Sequence, residues 1–360
     1  MNILITTGHP AQVHNFKFLK WELENQGHKV FWLASDKDIS RYLLDHYQIN
    51  YTILPKPQKS LLSKFNLLIK NALFVSRFIR QNKIDIAISR VSPYISLACF
   101  VLRKTHFALT DTETAGFYDK FFSKFVSVLF TAKSFRRTLR GDQIRFDGNI
   151  ELFYLHPNRF QPAENVSDIL DVDASDKYII MRFVSWDAYH DKGLSGFSDA
   201  NKLKAVTELS KYAKVFITSE KELPLDLMPY RIKIPPEKMH DVLAHATLFF
   251  GESSTMASES AVLGTPAIYL NENWFGSTDE EKDFGLLFSF RENQKGQHKA
   301  IEKGIELLRQ KNLKTEMQEK RKTFLENKID ITGFMLWFIE NYPESFHIMK
   351  KDPDYQYRFK

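Results

Sequence analysis

The sequence predicts an α/β fold of two doubly wound, Rossmann-like domains. Short apolar runs with the length of buried strands alternate with helical patterns along most of the 360 residues, which is typical of parallel sheets. This alternation lapses at residues 151–176, a stretch with two prolines, so the chain divides into two series of such units. We therefore expect domains at residues 1–150 and 151–340, followed by a tail at 341–360. Ligands of such sheets bind at the carboxyl ends of the strands, where we expect the two domains to face a cleft.

The first domain opens with a strand, a turn and a helix. Residues 2–6 form an apolar run, Gly8-His9-Pro10 a tight turn, and residues 12–26 a helical pattern that Gly27 ends. The later strands are predicted at 28–34, 51–54, 84–89, 105–110, 125–130 and 144–146, and the later helices at 39–47, 61–82 and 93–103. This order indicates a parallel sheet with helices on both faces.

The second domain repeats the alternation after the irregular stretch. Strands are predicted at 178–183, 213–218, 231–234, 248–250 and 267–270, and helices at 200–211, 236–244 and 256–263. Residues 299–341 are predicted to be helical throughout. The tail at 341–360 is rich in Lys, Tyr and Phe.

Composition indicates a globular protein of the cytoplasm. Hydrophobic residues make up 43% of the chain and charged residues 26%, which is ordinary for a soluble domain. No apolar run approaches the roughly 18 residues of a membrane-spanning helix. The first residues lack the basic segment and cleavage site of a signal peptide, and one cysteine, Cys99, excludes an internal disulfide.

The net charge of +6 leaves two interpretations of the first half open. Basic residues surround an apolar helical pattern at Lys56, Lys59, Lys64, Lys70, Arg77 and Arg80, and residues 121–130 read FFSKFVSVLF. One interpretation is peripheral docking on the inner face of the cell membrane through anionic lipids. The other, which we favour, is a solvated basic face beside a buried strand. No basic cluster coincides with a recognised nucleic-acid module, so we expect no nucleic-acid partner.

The stretch from Leu248 to Leu270 is the first candidate binding element. A polar turn, Gly251-Glu252-Ser253-Ser254-Thr255, joins an apolar run to a short helical pattern that Gly264 ends. The turn brings hydroxyl groups and unpaired backbone N–H groups to a helix N-terminus, where the dipole favours an anion such as phosphate. Glu259 lies on the same helix face one turn after Thr255 and could accept hydrogen bonds from a ribose. The alternative is a capped crossover helix that binds nothing.

Two further stretches place chemically active groups at predicted strand ends of the first domain. Gly8 opens the first loop, and His9 and His14 supply imidazoles near its junction with the helix. Either imidazole could act as a general base near neutral pH. Asp111 and Glu113 follow a predicted strand, as expected for acid–base work or for holding a sugar hydroxyl, although a helix cap explains Asp111 equally well.

The densest segment of the second domain follows the predicted strand at 178–183. Arg182 could clamp a phosphate with its guanidinium fork. Trp186, His190 and Asp191 follow on a predicted loop without an amphipathic pattern, which favours a binding role over packing. Three weaker candidates lie at neighbouring element ends: Ser219, Glu220 and His240.

These motifs together resemble the family known as domain of unknown function 354, over about residues 1–340. The motifs that carry the resemblance are GHPAQVH at 8–14, DTE at 111–113, GNIELFYLHPNRFQP at 148–162, RFVSWDAYHDKG at 182–193, SE at 219–220 and GESSTMASESAVLGTPAI at 251–268. That family is in turn similar to GT-B-fold nucleotide-sugar glycosyltransferases and UDP-N-acetylglucosamine 2-epimerases. The resemblance implies a nucleotide-sugar site in the second domain. Its pyrophosphate would meet Ser253, Ser254 and Thr255, with the ribose at Glu259, Arg182 near the phosphates and the base near residues 234–240.

The resemblance implies three functional hypotheses. The first is a metal-independent glycosyltransferase that moves a sugar from UDP to a cell-surface glycan or a lipid-linked acceptor, with His9 or His14 as base. The second is a UDP-N-acetylglucosamine 2-epimerase, for which Asp111, Glu113 and Glu220 could supply carboxylates. The third is a non-catalytic relative that binds the nucleotide sugar or serves as a scaffold. None of the three calls for a cofactor or a bound metal beyond the UDP-sugar itself.

Overall fold

The computed structural model describes residues 1–55, 61–173, 175–184, 196–219, 222–273 and 275–360. The chain divides into two compact units, which are unit 1 (Met1–Arg159 and Lys328–Lys360) and unit 2 (Phe160–Asn327). Within the described ranges, no helix combines the length and apolar character needed to span a bilayer.

The described strands form one parallel sheet in each unit. Those of unit 1 are β1 (Asn2–Thr7), β2 (Lys29–Ala34), β3 (Thr52–Ile53), β4 (Ile86–Arg90), β5 (Thr105–Leu109), β6 (Val128–Ala132) and β7 (Gln143–Phe146). Those of unit 2 are β8 (Tyr178–Phe183), β9 (Lys214–Ser219), β10 (Leu248–Gly251), β11 (Ala267–Leu270) and β12 (Leu287–Phe290). The strand orders are β3-β2-β1-β4-β5-β6-β7 and β12-β11-β10-β8-β9. The α/β class with two doubly wound sheets, predicted from the alternation of elements, is confirmed.

Helices connect the strands and cover the sheets. They are α1 (Pro10–Asn25), α2 (Asp38–His46), α3 (Leu61–Gln81), α4 (Pro93–Val101), α5 (Gly116–Phe122), α6 (Leu152–Leu155), α7 (Ser167–Leu170), α8 (Asp199–Leu209), α9 (Met239–His245), α10 (Ser254–Leu263), α11 (Gly276–Asp283), α12 (Gln294–Arg309), α13 (Leu313–Leu325), α14 (Ile331–Glu340) and α15 (Glu344–Lys351). Short 3-10 helices lie at Glu113–Ala115, Ser123–Phe125, Leu225–Tyr230, Pro236–Lys238 and Pro353–Phe359.

The chain returns to unit 1 after residue 327, whereas the sequence analysis assigned residues up to 340 to the second domain. Packing explains the return, because α14 places Phe338 against Phe107 of β5 and Phe130 of β6, with ring centroids 5.5 and 4.9 Å apart. The tail at 341–360 is ordered as α15 and a 3-10 helix in the same unit. The apolar periodicity of residues 331–340 identified a helix but carried no information on which sheet the helix covers.

The central strand of unit 2, β10, leads directly into α10. Gly251 at its end allows β8 to approach, since a Cβ built there would lie 2.4 Å from the carbonyl oxygen of Arg182. Gly264 ends α10 with φ of +79°, in the left-handed region that favours glycine. The strand, turn, helix and glycine cap predicted for residues 248–270 are therefore confirmed.

Two predictions for local structure are wrong. Residues 231–234 make a single bridge, Ile217 to Arg231, because two prolines without N–H groups follow at once. Residues 299–341 form three helices instead of one continuous helical stretch. The break between α13 and α14 is set by Asp330, which caps the N-terminus of α14. Its carboxylate accepts from the N–H of Gly333 at 3.1 Å.

Candidate functional site

The N-terminus of α10 lies at the carboxyl end of β10, in the middle of the second sheet. Ser253 caps the helix by accepting from the N–H of Met256 at 3.3 Å. Ser253, Ser254 and Thr255 are half-buried, so their hydroxyls reach the surface of unit 2. The first-turn N–H groups of a helix have no intrahelical acceptor, and together with the dipole they favour an anion at this position.

Glu259 and His240 come together behind this helix end. The Nε2 atom of His240, in α9, lies 3.0 Å from Oε1 of Glu259, and both side chains are buried. The ring of Phe160 meets the imidazole edge-on, with centroids 6.2 Å apart. The sequence suggested the two residues separately, 19 positions apart, and the packing of α9 on α10 joins them. The pair holds a carboxylate in a fixed orientation one turn behind the helix N-terminus.

Glu252 turns away from the surface and supports the backbone of unit 2. Its Oε1 accepts from the N–H of Phe197 at 2.6 Å, and its Oε2 from the N–H of Val184 at 2.9 Å. Burial raises the pKa of this carboxyl to about 7. Because both carboxylate oxygens hold backbone groups, the side chain is placed to position β8 and the start of residues 196–219.

Arg182 and Ser219 occupy adjacent strand ends. Arg182 is opposite Gly251 of β10 and Thr218 of β9 in the parallel register. Its Nη1 donates to the Thr218 hydroxyl at 2.8 Å, so its half-buried guanidinium leans towards β9. Ser219 is the last residue of β9. Both residues therefore lie at the same sheet edge as the start of α10. The predicted residues Trp186, His190, Asp191 and Glu220 lie outside the described residues.

The two imidazoles predicted near the first loop have different environments in unit 1. His9 is exposed and caps α1, its Nδ1 accepting from the N–H of Ala11 at 3.2 Å. Beside it, the N–H of Gly8 donates to the side chain of Gln12 at 2.7 Å. His14 is buried, with Nδ1 3.5 Å from the hydroxyl of Tyr47 and its ring against that of Tyr154. Of the two, His9 is the one that is open to solvent.

Asp111 pairs with Arg90, a residue that the sequence analysis did not single out. Two nitrogens of the Arg90 guanidinium bind the two carboxylate oxygens, in the fork geometry that arginine provides. Burial alone would raise the pKa of Asp111, but the Arg90 charge and the hydrogen bonds from Arg90 and Thr112 together hold that pKa below its ordinary value. Glu113 is held nearby, its backbone oxygen accepting from Nη1 of Arg137 at 2.8 Å.

A second carboxylate, Asp119, is buried at the same end of unit 1. Its Oδ2 accepts from the hydroxyl of Thr110 at 2.5 Å. Burial raises the pKa of Asp119 above its ordinary value, although the Thr110 hydroxyl and the Arg90 charge act in the opposite direction. Asp119 lies in GFYDKFF, whose aromatic residues concealed it in the sequence analysis. A single acidic residue within an apolar run next to a strand end is the sequence signal that could have identified Asp119 as a candidate.

Residues 1–279 match the sequence profile of the family described as protein of unknown function (DUF354). The chain belongs to this family. The resemblance stated from the motifs is therefore confirmed, and no curated protein matches the sequence.

Solved structures of enzymes share the fold of this family member. MnaA of S. aureus, solved with UDP, has a TM-score of 0.68 at 13% identity, covering 96% of this chain and 97% of its own. A UDP-GlcNAc 2-epimerase from Neisseria meningitidis bound to UDP-GlcNAc has a TM-score of 0.66 at 12% identity, covering 91% and 99%. The spinosyn rhamnosyltransferase SpnG, complexed with spinosyn aglycone, has a TM-score of 0.59 at 12% identity, covering 95% and 100%. The fold of the DUF354 chain is therefore GT-B-like.

A cavity of unit 2 lies away from this site. It has a volume of about 580 Å³ and opens at the amino ends of the strands, beside Tyr178, Thr247 and Pro266. None of the candidate catalytic or substrate-binding residues lines it, and parallel α/β sheets bind ligands at the opposite, carboxyl ends. We therefore assign the candidate site to the α10 N-terminus. Across the described ranges, no group of three or more His, Cys, Asp or Glu could hold a metal ion.

Proposed function

We propose that unit 2 binds a UDP-sugar, with its diphosphate at the N-terminus of α10. The observation that carries the proposal is the position of three half-buried hydroxyl residues, 253–255, one turn from the buried pair of His240 and Glu259. A diphosphate would gain the first-turn N–H groups and the helix dipole. The carboxylate of Glu259, oriented by His240, would accept the ribose hydroxyls. The base would lie near residues 234–240, where the 3-10 helix precedes α9.

We propose that the reaction is metal-independent transfer of the sugar to an acceptor hydroxyl of a glycan or a lipid-linked molecule. His9 takes the proton of the acceptor on Nδ1, which gives up its hydrogen bond from the N–H of Ala11, and the acceptor oxygen forms a bond to the anomeric carbon as the bond to the UDP oxygen breaks. Arg182 and the helix dipole offset the negative charge on the departing UDP. The exposure of His9 at the end of β1 supports this assignment, since a base must reach a substrate that comes from solvent.

Incubation with a panel of UDP-sugars and candidate acceptors tests this reaction. The proposal expects UDP release that requires an acceptor and a marked loss of UDP affinity in Glu259→Ala and Arg182→Ala. If neither substitution changes UDP affinity, the assignment of the nucleotide site to the N-terminus of α10 is contradicted. UDP binding without any turnover would instead favour the non-catalytic, scaffold alternative.

The second candidate, a UDP-N-acetylglucosamine 2-epimerase-like activity, is favoured by the two carboxylates of unit 1. Asp111 has a lowered pKa and Asp119 a raised pKa, and such separation is typical of an acid and base that act together. Removal and return of a proton on a sugar carbon needs such a pair. Turnover of UDP-GlcNAc in D₂O distinguishes the candidates, because only the epimerase incorporates deuterium at C2 without an acceptor.

A further inference from the structure

One layer of unit 1 exposes large apolar side chains that a folded domain ordinarily buries. Phe100 and Val101, at the end of α4, are 57% and 71% exposed. Ile69 and Leu73 of α3 and Phe121 of α5 are exposed as well. We name these five residues, with the basic residues described below, the apolar–basic face.

Helix packing places α3 and α4 in the same layer of unit 1. α3 and α4 share one core cluster, in which Val75 and Ile79 of α3 meet Ile95 and Ala98 of α4 over the strands β1, β2 and β4. The two helices therefore lie side by side, and their outer surfaces form one layer. Ile69 and Leu73 are four residues apart and share a helix face.

Aromatic contacts extend the same surface to α5. Phe125 lies between Phe100 and Phe121, with ring centroids 5.1 and 5.6 Å apart. The three rings form a continuous cluster that links α4, α5 and the 3-10 helix at Ser123–Phe125. The exposed Phe100 and Phe121 are thus part of one connected patch on α4 and α5, and such patches mark interaction surfaces.

The charge around this patch is predominantly positive. Residues 46–110 contain ten basic residues and one acidic residue, Asp85. Exposed basic side chains accompany the apolar ones on each helix, at Lys70, Arg77, Arg80, Arg103, Lys120 and Lys124. The Nζ of Lys124 lies 4.5 Å from the ring centroid of Phe121, so a cation and an exposed ring meet directly. The acid on α5, Asp119, is buried and hydrogen-bonded to Thr110, so it adds little negative charge to the surface.

We propose that the apolar–basic face docks unit 1 on the surface of an anionic phospholipid membrane. Aromatic and aliphatic side chains enter the interface while lysine and arginine meet the phosphate groups. A second copy of the chain fits the same face poorly, because it would bring two positive surfaces together. The proposal is independent of the reaction assigned above, since it involves none of the residues placed at the nucleotide site.

Vesicle co-sedimentation of the full chain tests the proposal, with phosphatidylcholine alone and with about 30% phosphatidylglycerol added. We expect binding to the anionic vesicles only, and about tenfold weaker binding for the variant Phe100→Ser/Val101→Ser. Leu225→Ser is the matched control, because Leu225 of unit 2 is the most exposed of the large apolar residues described, at 89%. It should bind as the parent chain does.

A further double variant separates membrane binding from an apolar contact with protein. Arg103→Glu/Lys124→Glu should weaken vesicle binding by about fivefold or more for each charge removed, and about 1 M salt should abolish the remainder. Equal binding to neutral and anionic vesicles, or none to either, would overturn the proposal. So would a concentration-dependent dimer in sedimentation velocity that Phe100→Ser/Val101→Ser abolishes, because the face would then bind a second copy.

Discussion

The Nε2 atom of His240 lies 3.0 Å from Oε1 of Glu259, and both side chains are buried in unit 2. A hydrogen bond to a carboxylate fixes its orientation, so the two residues act as one element if UDP binds beside them. Changing either residue should therefore remove the same contribution to affinity, and the double variant should lose little more.

We expect Glu259→Gln and His240→Asn each to lower UDP affinity about tenfold, with a coupling energy of about 1 kcal/mol. Isothermal titration calorimetry with UDP measures all three variants. Glu281→Gln is the matched control, because Glu281 is also buried against α10 and accepts from Ser258 at 2.9 Å. Strictly additive losses, or an equal loss in the control, would contradict a shared role at the ribose.

The helix N-terminus gives a prediction in which stability and affinity change in opposite directions. In Thr255→Glu, the new carboxylate in the first turn of α10 should stabilise the helix by about 0.5 kcal/mol through the dipole. The same charge would repel a diphosphate, so UDP affinity should fall at least about tenfold. Thermal unfolding and calorimetry measure the two effects. Thr323→Glu, on an exposed turn of α13, should leave affinity unchanged.

Glu252 gives a pH prediction for stability. Its pKa is raised to about 7 in the folded chain from 4.5, so the folded state binds the proton more tightly than the unfolded state does. The protonated carboxyl contributes about 3 kcal/mol to the free energy of unfolding. This contribution is fully present below pH 4.5 and is lost as the pH rises through 7. Chemical denaturation at a series of pH values should show this loss in the parent chain and not in Glu252→Gln. Glu316→Gln, at an exposed site, should keep the parent profile.

The helices and strands that could be predicted from the sequence are those whose ends are marked by local residue signals. The strand predicted at 178–183 has the bounds of β8, and the helix that ends at Leu263 is closed by Gly264, because apolar runs and glycine caps are local signals. β12 has four residues and no strong flanking signal, and it was not predicted.

Contacts between residues that are far apart in the sequence could not be predicted from local signals. Glu252 was placed correctly on its turn, but its orientation depends on Val184 and Phe197, which are 68 and 55 residues away. Arg90 likewise acquires its place only when β4 lies beside β5, which brings it to Asp111, 21 residues later. Residue type and spacing identified the chemistry available, while the sheet register decided which groups meet.

Substitution of Asp119, in unit 1, should affect the turnover rate but not the affinity for UDP. In the epimerase-like candidate, Asp119→Asn keeps the shape of the side chain and removes a proton carrier, so the turnover rate of UDP-GlcNAc should fall by about a hundredfold or more. The UDP dissociation constant should stay unchanged, because the nucleotide contacts are assigned to unit 2. Asp142→Asn, at an exposed site of the same unit, serves as the control. Equal activity in both variants would leave Asp119 with a structural role alone.

The C-terminal segment depends on a buried network around Asp147. Its Oδ1 pairs with Nζ of Lys328 at 2.8 Å, and its Oδ2 accepts from the hydroxyl of Tyr357 at 2.7 Å. Burial alone would raise the pKa of Asp147, but the hydrogen bonds from Lys328 and Tyr357 hold it below its ordinary value. The resulting stability is present above pH 3.8 and is lost as pH falls towards the folded-state pKa.

Removing one partner of this network should cost more than removing the buried pair together. Asp147→Asn leaves the Lys328 charge buried and should lower the free energy of unfolding by about 3 kcal/mol, while Asp147→Leu/Lys328→Met should lose less. Tyr357→Phe should cost about 1 kcal/mol for one hydrogen bond. Tyr355→Phe is its control, since Tyr355 stacks on Trp337 through its ring, at 4.8 Å between centroids, and phenylalanine keeps that contact. Chemical denaturation measures the free energy of unfolding of the four variants. If the double substitution lowers it most, packing and not the charge pair anchors the C-terminal segment.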